Sequence, residues 1–239
     1  MYNMRNDGPS GSRSAYQYQT LPYGYEGGIQ ASGLISKVMG LLALCFVVAA
    51  IGTFVGFYVL TPTSYIVVMI LGFVVLLALR FLIQKQGLNL FLLYLFAFIE
   101  GMGLGPLLGY YLQSAPNILG EAFILTALTA FGLAIYSWTT KRDFSRIGDY
   151  LFGGLILLIV ASLVGLFFHS ALFQLVICVV GVAVFSGFVL YYVQRARYMA
   201  DTMPNAIGLT VSLFITLINL FLYILEILSI VQGGGGRRR

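Results

Sequence analysis

Long apolar runs separated by short polar breaks organise this chain. The runs cover residues 34–60, 64–83, 88–111, 117–138, 150–169, 171–193 and 207–231. A helix needs about 20 apolar residues to cross the hydrocarbon of a bilayer, and each run reaches that length. The breaks carry turn chemistry: TPTS at 61–64, QKQG at 84–87, SAPN at 114–117, TKRDFSRIGD at 140–149 and RARYMADTMPN at 195–205. Only His169 and Ser170 mark the fifth break. The pattern predicts an all-α membrane protein of seven transmembrane helices over residues 31–232. It is preceded by a Gly-, Ser-, Tyr- and Gln-rich disordered tail at 1–30 and followed by a short basic tail at 233–239. No apolar run opens the chain, so the first one is expected to stay as a membrane helix rather than be removed as a signal peptide.

Composition supports lipid as the solvent. Hydrophobic residues make up 60% of the chain and charged residues 9%, against about 25% charged in soluble domains. The inventory for chemistry is thin. Cys45 and Cys178 sit inside apolar runs and read as small buried hydrophobes, while His169 has no second His or Cys close by in sequence to complete a metal site. No cofactor, no nucleic-acid partner and no enzymatic activity are expected, although an intramembrane enzyme stands as a third and weaker reading.

Charge sets the orientation. Arg5, Arg13 and Lys37 precede or open the first run, Arg80 and Lys85 flank the second break, Lys141, Arg142 and Arg146 lie in the fourth, and Arg195 and Arg197 in the sixth-to-seventh loop. These are ten of the 13 basic residues, and the loops between carry none. By the positive-inside rule this side and the N-terminus are cytoplasmic. Arg237, Arg238 and Arg239 then fall outside; a six-span chain with a re-entrant last segment is the alternative.

One acid interrupts the oil. Glu100 lies near the middle of run 88–111, where a carboxylate costs on the order of 2.5–3.5 kcal/mol on insertion scales and so faces the bundle interior or water. Gating, proton-linked transport and a plain interhelical hydrogen bond compete for it. Ala97, Gly101, Gly105 and Gly109 recur every four residues and form a thin face for a close helix neighbour, and Pro106 kinks the helix or frees a carbonyl. Along the last run, Ser212, Thr216, Asn219, Tyr223 and Glu226 fall within about 80° of one direction. Such a stripe turns away from lipid, which places the last helix at the centre of the other six, with Glu100 directed toward it.

Three stretches resemble one family. FAFIEGMGLGP (96–106), TTKRDFSRIGDYLFGGLI (139–156) and TVSLFITLINLFLYILEIL (210–228) are similar to the third helix, the basic fourth-to-fifth loop and the last helix of the Bax inhibitor-1 family, in particular its bacterial YccA branch. The resemblance implies seven helices with the last enclosed by the others. It also implies one of two activities in the bacterial inner membrane. One is regulation, as a modulator or substrate of the membrane protease FtsH. The other is a pH-sensitive leak of Ca2+, or a proton-linked one, through intramembrane carboxylates. At the two positions where leak-type members carry their acidic pair, this chain has Tyr192, after Leu190 and Tyr191, and Thr216, three residues before Asn219. Glu100 and Glu226 are the acids left to replace them.

Overall fold

The computed structural model describes residues 27–165, 167 and 170–233. Residues 1–26, His169 and Arg237–Arg239, for which a tail, a loop and an outer terminus were expected, lie outside the described residues. Seven helices follow in order: α1 (Gly27–Val59), α2 (Pro62–Leu82), α3 (Leu88–Ser114), α4 (Pro116–Thr139), α5 (Ile147–Gly165), α6 (Ala171–Ala196) and α7 (Met203–Gly233). All seven are long and apolar enough to cross a membrane.

The ends differ from the hydropathy pattern where capping decides them. α7 starts at Met203 rather than 207, because Thr202 caps it: the Asn205 amide donates to the Thr202 hydroxyl (3.4 Å) and the Ala206 amide to its carbonyl (3.0 Å). Pro204 in this first turn loses nothing, since the first amides of a helix have no partner within it. α1 likewise reaches back to Gly27, so residues 27–30, read as the end of a tail, are helical. α5 begins at Ile147 and stops at Gly165, earlier than 169. Thr61 and Ser64 form a reciprocal capping box at the start of α2. Between α2 and α3, Gly87 takes φ 81°, a conformation open to glycine, and the fully buried Asn89 donates to the Ile83 carbonyl at 2.9 Å.

α7 joins two halves of the core. Its first half (Ala206, Ile207, Leu209, Leu213, Phe214) shares one buried cluster with residues of α1, α2 and α3, and its second half (Leu220, Phe221, Ile224, Leu225) shares another with residues of α4, α5 and α6. It lies directly against α1, α3, α4 and α6, with α2 set behind α3 and α5 behind α6. The helix is therefore central, as the polar stripe implied. It also crosses completely: Lys37 pairs with Asp201 (2.9 Å) just before its start, and Gln232 bonds Glu121 (2.6 Å) near its end. At 31 residues it spans about 46 Å, too long for a re-entrant segment.

The tightest packing joins α1 and α3. A Cβ added to Gly52 or Gly56 on α1 would strike the Phe98 or Met102 carbonyl, and one on Gly101 or Gly105 would strike the α1 backbone at Ala49 or at Thr53, Gly56 and Phe57. The two backbones touch, and the glycine face read from the sequence is the reason. α3 runs through Pro106 as one helix. Proline has no amide for the carbonyl four residues back, Met102, and that carbonyl lies on Gly56, where a Cα–H can meet it. Thr53 stitches the crossing by donating to Ala49 and Gly101 carbonyls at 2.9 and 3.0 Å.

Gly101→Ala and Gly105→Ala must therefore push α1 away, and each should lower unfolding stability in micelles by about 1–3 kcal/mol. Gly103→Ala, whose new methyl meets only Met69 at 3.9 Å, and Gly40→Ala, which meets nothing within 4 Å, serve as controls. Both should be neutral or stabilising, by up to about 1 kcal/mol, from helix propensity.

Candidate functional site

The polar groups inside the bundle fall into separate places. Glu100 is partly buried on α3, and its carboxylate lies beside Gly72 of α2, where an added Cβ would come within 3.5 Å of Oε1. The expectation that it points to the polar side of α7 is corrected: the Gly101–Gly105 face takes α1, and the Glu100 carboxylate lies against α2. Sequence spacing shows which residues share a face, but not which neighbour that face meets.

The α7 stripe is satisfied largely by its own backbone. Thr216, 3% exposed, donates to the Ser212 carbonyl (2.7 Å), Ser212 to Gly208 (3.0 Å), and Asn219 to Ile215 (2.8 Å). Glu226 is different. Its Oε1 accepts from Gln174 Nε2 on α6 at 2.8 Å, and Cys178 lies one turn along α6 beside the same carboxylate. Tyr223 lays its ring on Gly181 and reaches Ser162 of α5, and Ser162, Asn219 and Tyr223 are the polar residues that line a cavity of about 330 Å³. The structure thus gathers Asn219, Tyr223 and Glu226 on the α5–α6 side and leaves Glu100 apart. Gln174 and Ser162 were missed, as single polar residues in apolar runs with no period of their own, whereas Cys178 is buried, as read from its apolar run.

A second cavity of about 530 Å³ opens midway along the span between α1 and α4, floored by α3 and α7. Its two hydroxyls are both turned to backbone, Thr53 as above and Thr126 to Ala122 at 2.7 Å, so the groove offers methyls and rings.

On the basic side, Gln194 was also missed. Buried at the end of α6, it accepts from the Phe144 amide (2.5 Å) and donates to the Arg142 carbonyl (2.6 Å), clamping the α4–α5 loop. Ser137 of α4 donates to the Leu190 carbonyl at 2.7 Å, and Arg197 caps α4 by bonding the Trp138 carbonyl at 3.2 Å while lying over its ring. The basic loop is therefore a fixed element.

The family model described as "Inhibitor of apoptosis-promoting Bax1" matches residues 31–233, all of the helical region but the first four residues of α1. The chain belongs to the Bax inhibitor-1 family. Among its relatives, an uncharacterized membrane protein of Vibrio cholerae is 36% identical over 58% of this chain and 62% of its own length. An uncharacterized protein of Campylobacter jejuni is 31% identical over 83% of this chain and 89% of its own. Protein lifeguard 4 of mouse is 33% identical over 83% and 80%. Within this Bax inhibitor-1 family member, the two positions at which the resemblance places acids are filled by groups engaged otherwise. Tyr192 stacks on Phe188 with centroids 5.6 Å apart, and Thr216 bonds its own helix.

The Gln174–Glu226 bond should show as a coupling of about 0.6 kcal/mol, and no more than about 1.7 kcal/mol, in a double-mutant cycle with Leu at each position, the average and maximum for interhelical polar pairs in membranes. A cycle between Glu100→Leu and Asn219→Leu should give no coupling beyond about 0.5 kcal/mol. Replacing Gln194 with Leu should free the clamped loop, and trypsin should then cut at Lys141 and Arg142 faster than in the parent protein.

Proposed function

We propose that this protein is a non-enzymatic regulator of the bacterial inner membrane, of the YccA type, with its N-terminus in the cytoplasm, and that it engages the membrane protease FtsH as modulator or substrate. One observation carries the reading. The central helix presents no run of carboxylates to the bundle interior: Ser212, Thr216 and Asn219 bond its own backbone, Glu226 is held by Gln174 of α6, Thr216 and Tyr192 stand at the acidic-pair positions, and Glu100 faces α2. A core closed in this way suits a protein recognised by others. The family's description, inhibition of an apoptosis-promoting protein, supports regulation over catalysis. The Gly-, Ser- and Tyr-rich sequence before α1 supplies the handle, because processive proteases grip polar termini.

A second reading, a pH-sensitive leak of Ca2+ or a proton-linked one, is favoured by Glu100 alone: a carboxylate midway along a spanning helix is costly and is often functional.

Deleting residues 2–26, which spares α1, should lengthen the protein's lifetime in a pulse-chase in cells that contain FtsH and leave it unchanged in cells that lack it. Equal turnover of the full-length and shortened chains in both strains would defeat the regulator reading. In liposomes the purified protein should pass neither Ca2+ nor protons above the background of empty vesicles. A flux whose pH dependence disappears in a folded Glu100→Gln variant would establish the second reading instead.

A further inference from the structure

At the basic end of α6, Tyr191, Gln194, Arg195 and Tyr198 recur at helical spacing and form one face. Opposite it, the α4–α5 loop brings Asp143 and Ser145, and the six residues line a cavity of about 460 Å³. Cavities of about 300–1,000 Å³ are the usual size for small ligands.

Its walls are held before any ligand arrives. Gln194 fixes the loop through Phe144 and Arg142. The Tyr191 ring rests on Gly148 at the start of α5, and its hydroxyl accepts from Arg195 Nη1 at 2.9 Å, with the guanidinium 5.7 Å over the ring. Across the cavity, Asp143 accepts from the Ser145 amide (2.8 Å) and the Ser145 hydroxyl (2.5 Å). Both bonds use Oδ1, so Oδ2 keeps its acceptor capacity. These bonds, with the nearby Arg146 cation, hold the carboxyl below its ordinary range, and it stays charged well into acid.

The cavity thus carries one guanidinium and one carboxylate on different elements, with two tyrosines beside them. An anion would meet Asp143, and a simple cation would meet Arg195. A ligand bearing both signs satisfies both.

Its depth identifies the source. The cavity lies where α4 ends at Thr139, α5 begins at Ile147 and α6 ends at Ala196, which is the headgroup layer. Below it, α4 and α5 each pack on α6 rather than on each other.

We propose that this cavity binds the headgroup of a zwitterionic phospholipid, with its phosphate against Arg195 and its primary ammonium against Asp143. Ethanolamine phospholipids have this chemistry. Glycerol phospholipids lack the ammonium, and choline phospholipids lack its N–H donors.

The test places the protein in nanodiscs with equal parts phosphatidylethanolamine, phosphatidylcholine and phosphatidylglycerol and counts retained lipids by native mass spectrometry. Phosphatidylethanolamine should be retained in preference to both others. Asp143→Asn keeps the Oδ1 acceptor of the exposed turn and removes only the charge, so the fold is preserved; it should reduce that preference about fivefold, as should Arg195→Gln. Arg195→Lys, which keeps the charge, should retain most of it. The proposal is overturned if phosphatidylglycerol is retained best, as attraction to the basic loops alone would give, or if choline and ethanolamine lipids are held equally. A preference that survives Asp143→Asn overturns it as well.

Discussion

Hydrocarbon offers no hydrogen bonds, so every polar group placed in it must find a partner within the protein. Much of this structure follows from that constraint. The backbone answers it with helices. The hydroxyls of Thr53, Thr126, Ser212 and Thr216 answer it by bonding carbonyls of their own helices, and Ser137 and Gln174 by bonding neighbouring ones. Even the carbonyl that Pro106 deprives of its amide is placed on a glycine Cα–H. A helix that looks polar in sequence can therefore be chemically quiet once folded, and α7 is the example.

The same constraint explains why the glycines matter. With lipid as apolar as leucine, helices gain from meeting only where they fit closely. Gly52, Gly56, Gly101 and Gly105 let two backbones touch, so α1 and α3 make a dense wall. α7 leans on that wall with its first half and on α4 to α6 with its second. Where the two sets part, an apolar groove remains between α1 and α4.

How much of this could be read in advance depended on how local each cause was. Span number and the close-packing face of α3 were legible, since a run of apolar residues and a four-residue glycine period are properties of single helices. Starts set by a cap, such as Thr202 for α7, were hidden because Met203, Pro204 and Asn205 look like loop. The direction of Glu100 was misread, since it depends on which neighbour fills the remaining sector of α3. Gln194 and Gln174 carried no pattern at all: each matters through a partner about fifty residues away in sequence, Phe144 and Glu226.

The placement of α7 has a consequence for how the molecule is made. Chains enter the membrane N-terminus first, and α7 is synthesised after every helix it packs against. Until it arrives, the faces of α1, α3, α4 and α6 that pack on it lack their partner. The bundle therefore lacks its central packing surface until residues 203–233 have been made. A ribosome that stalls within the codons of α7 leaves a product in which the faces of α1, α3, α4 and α6 meant for that helix have no partner.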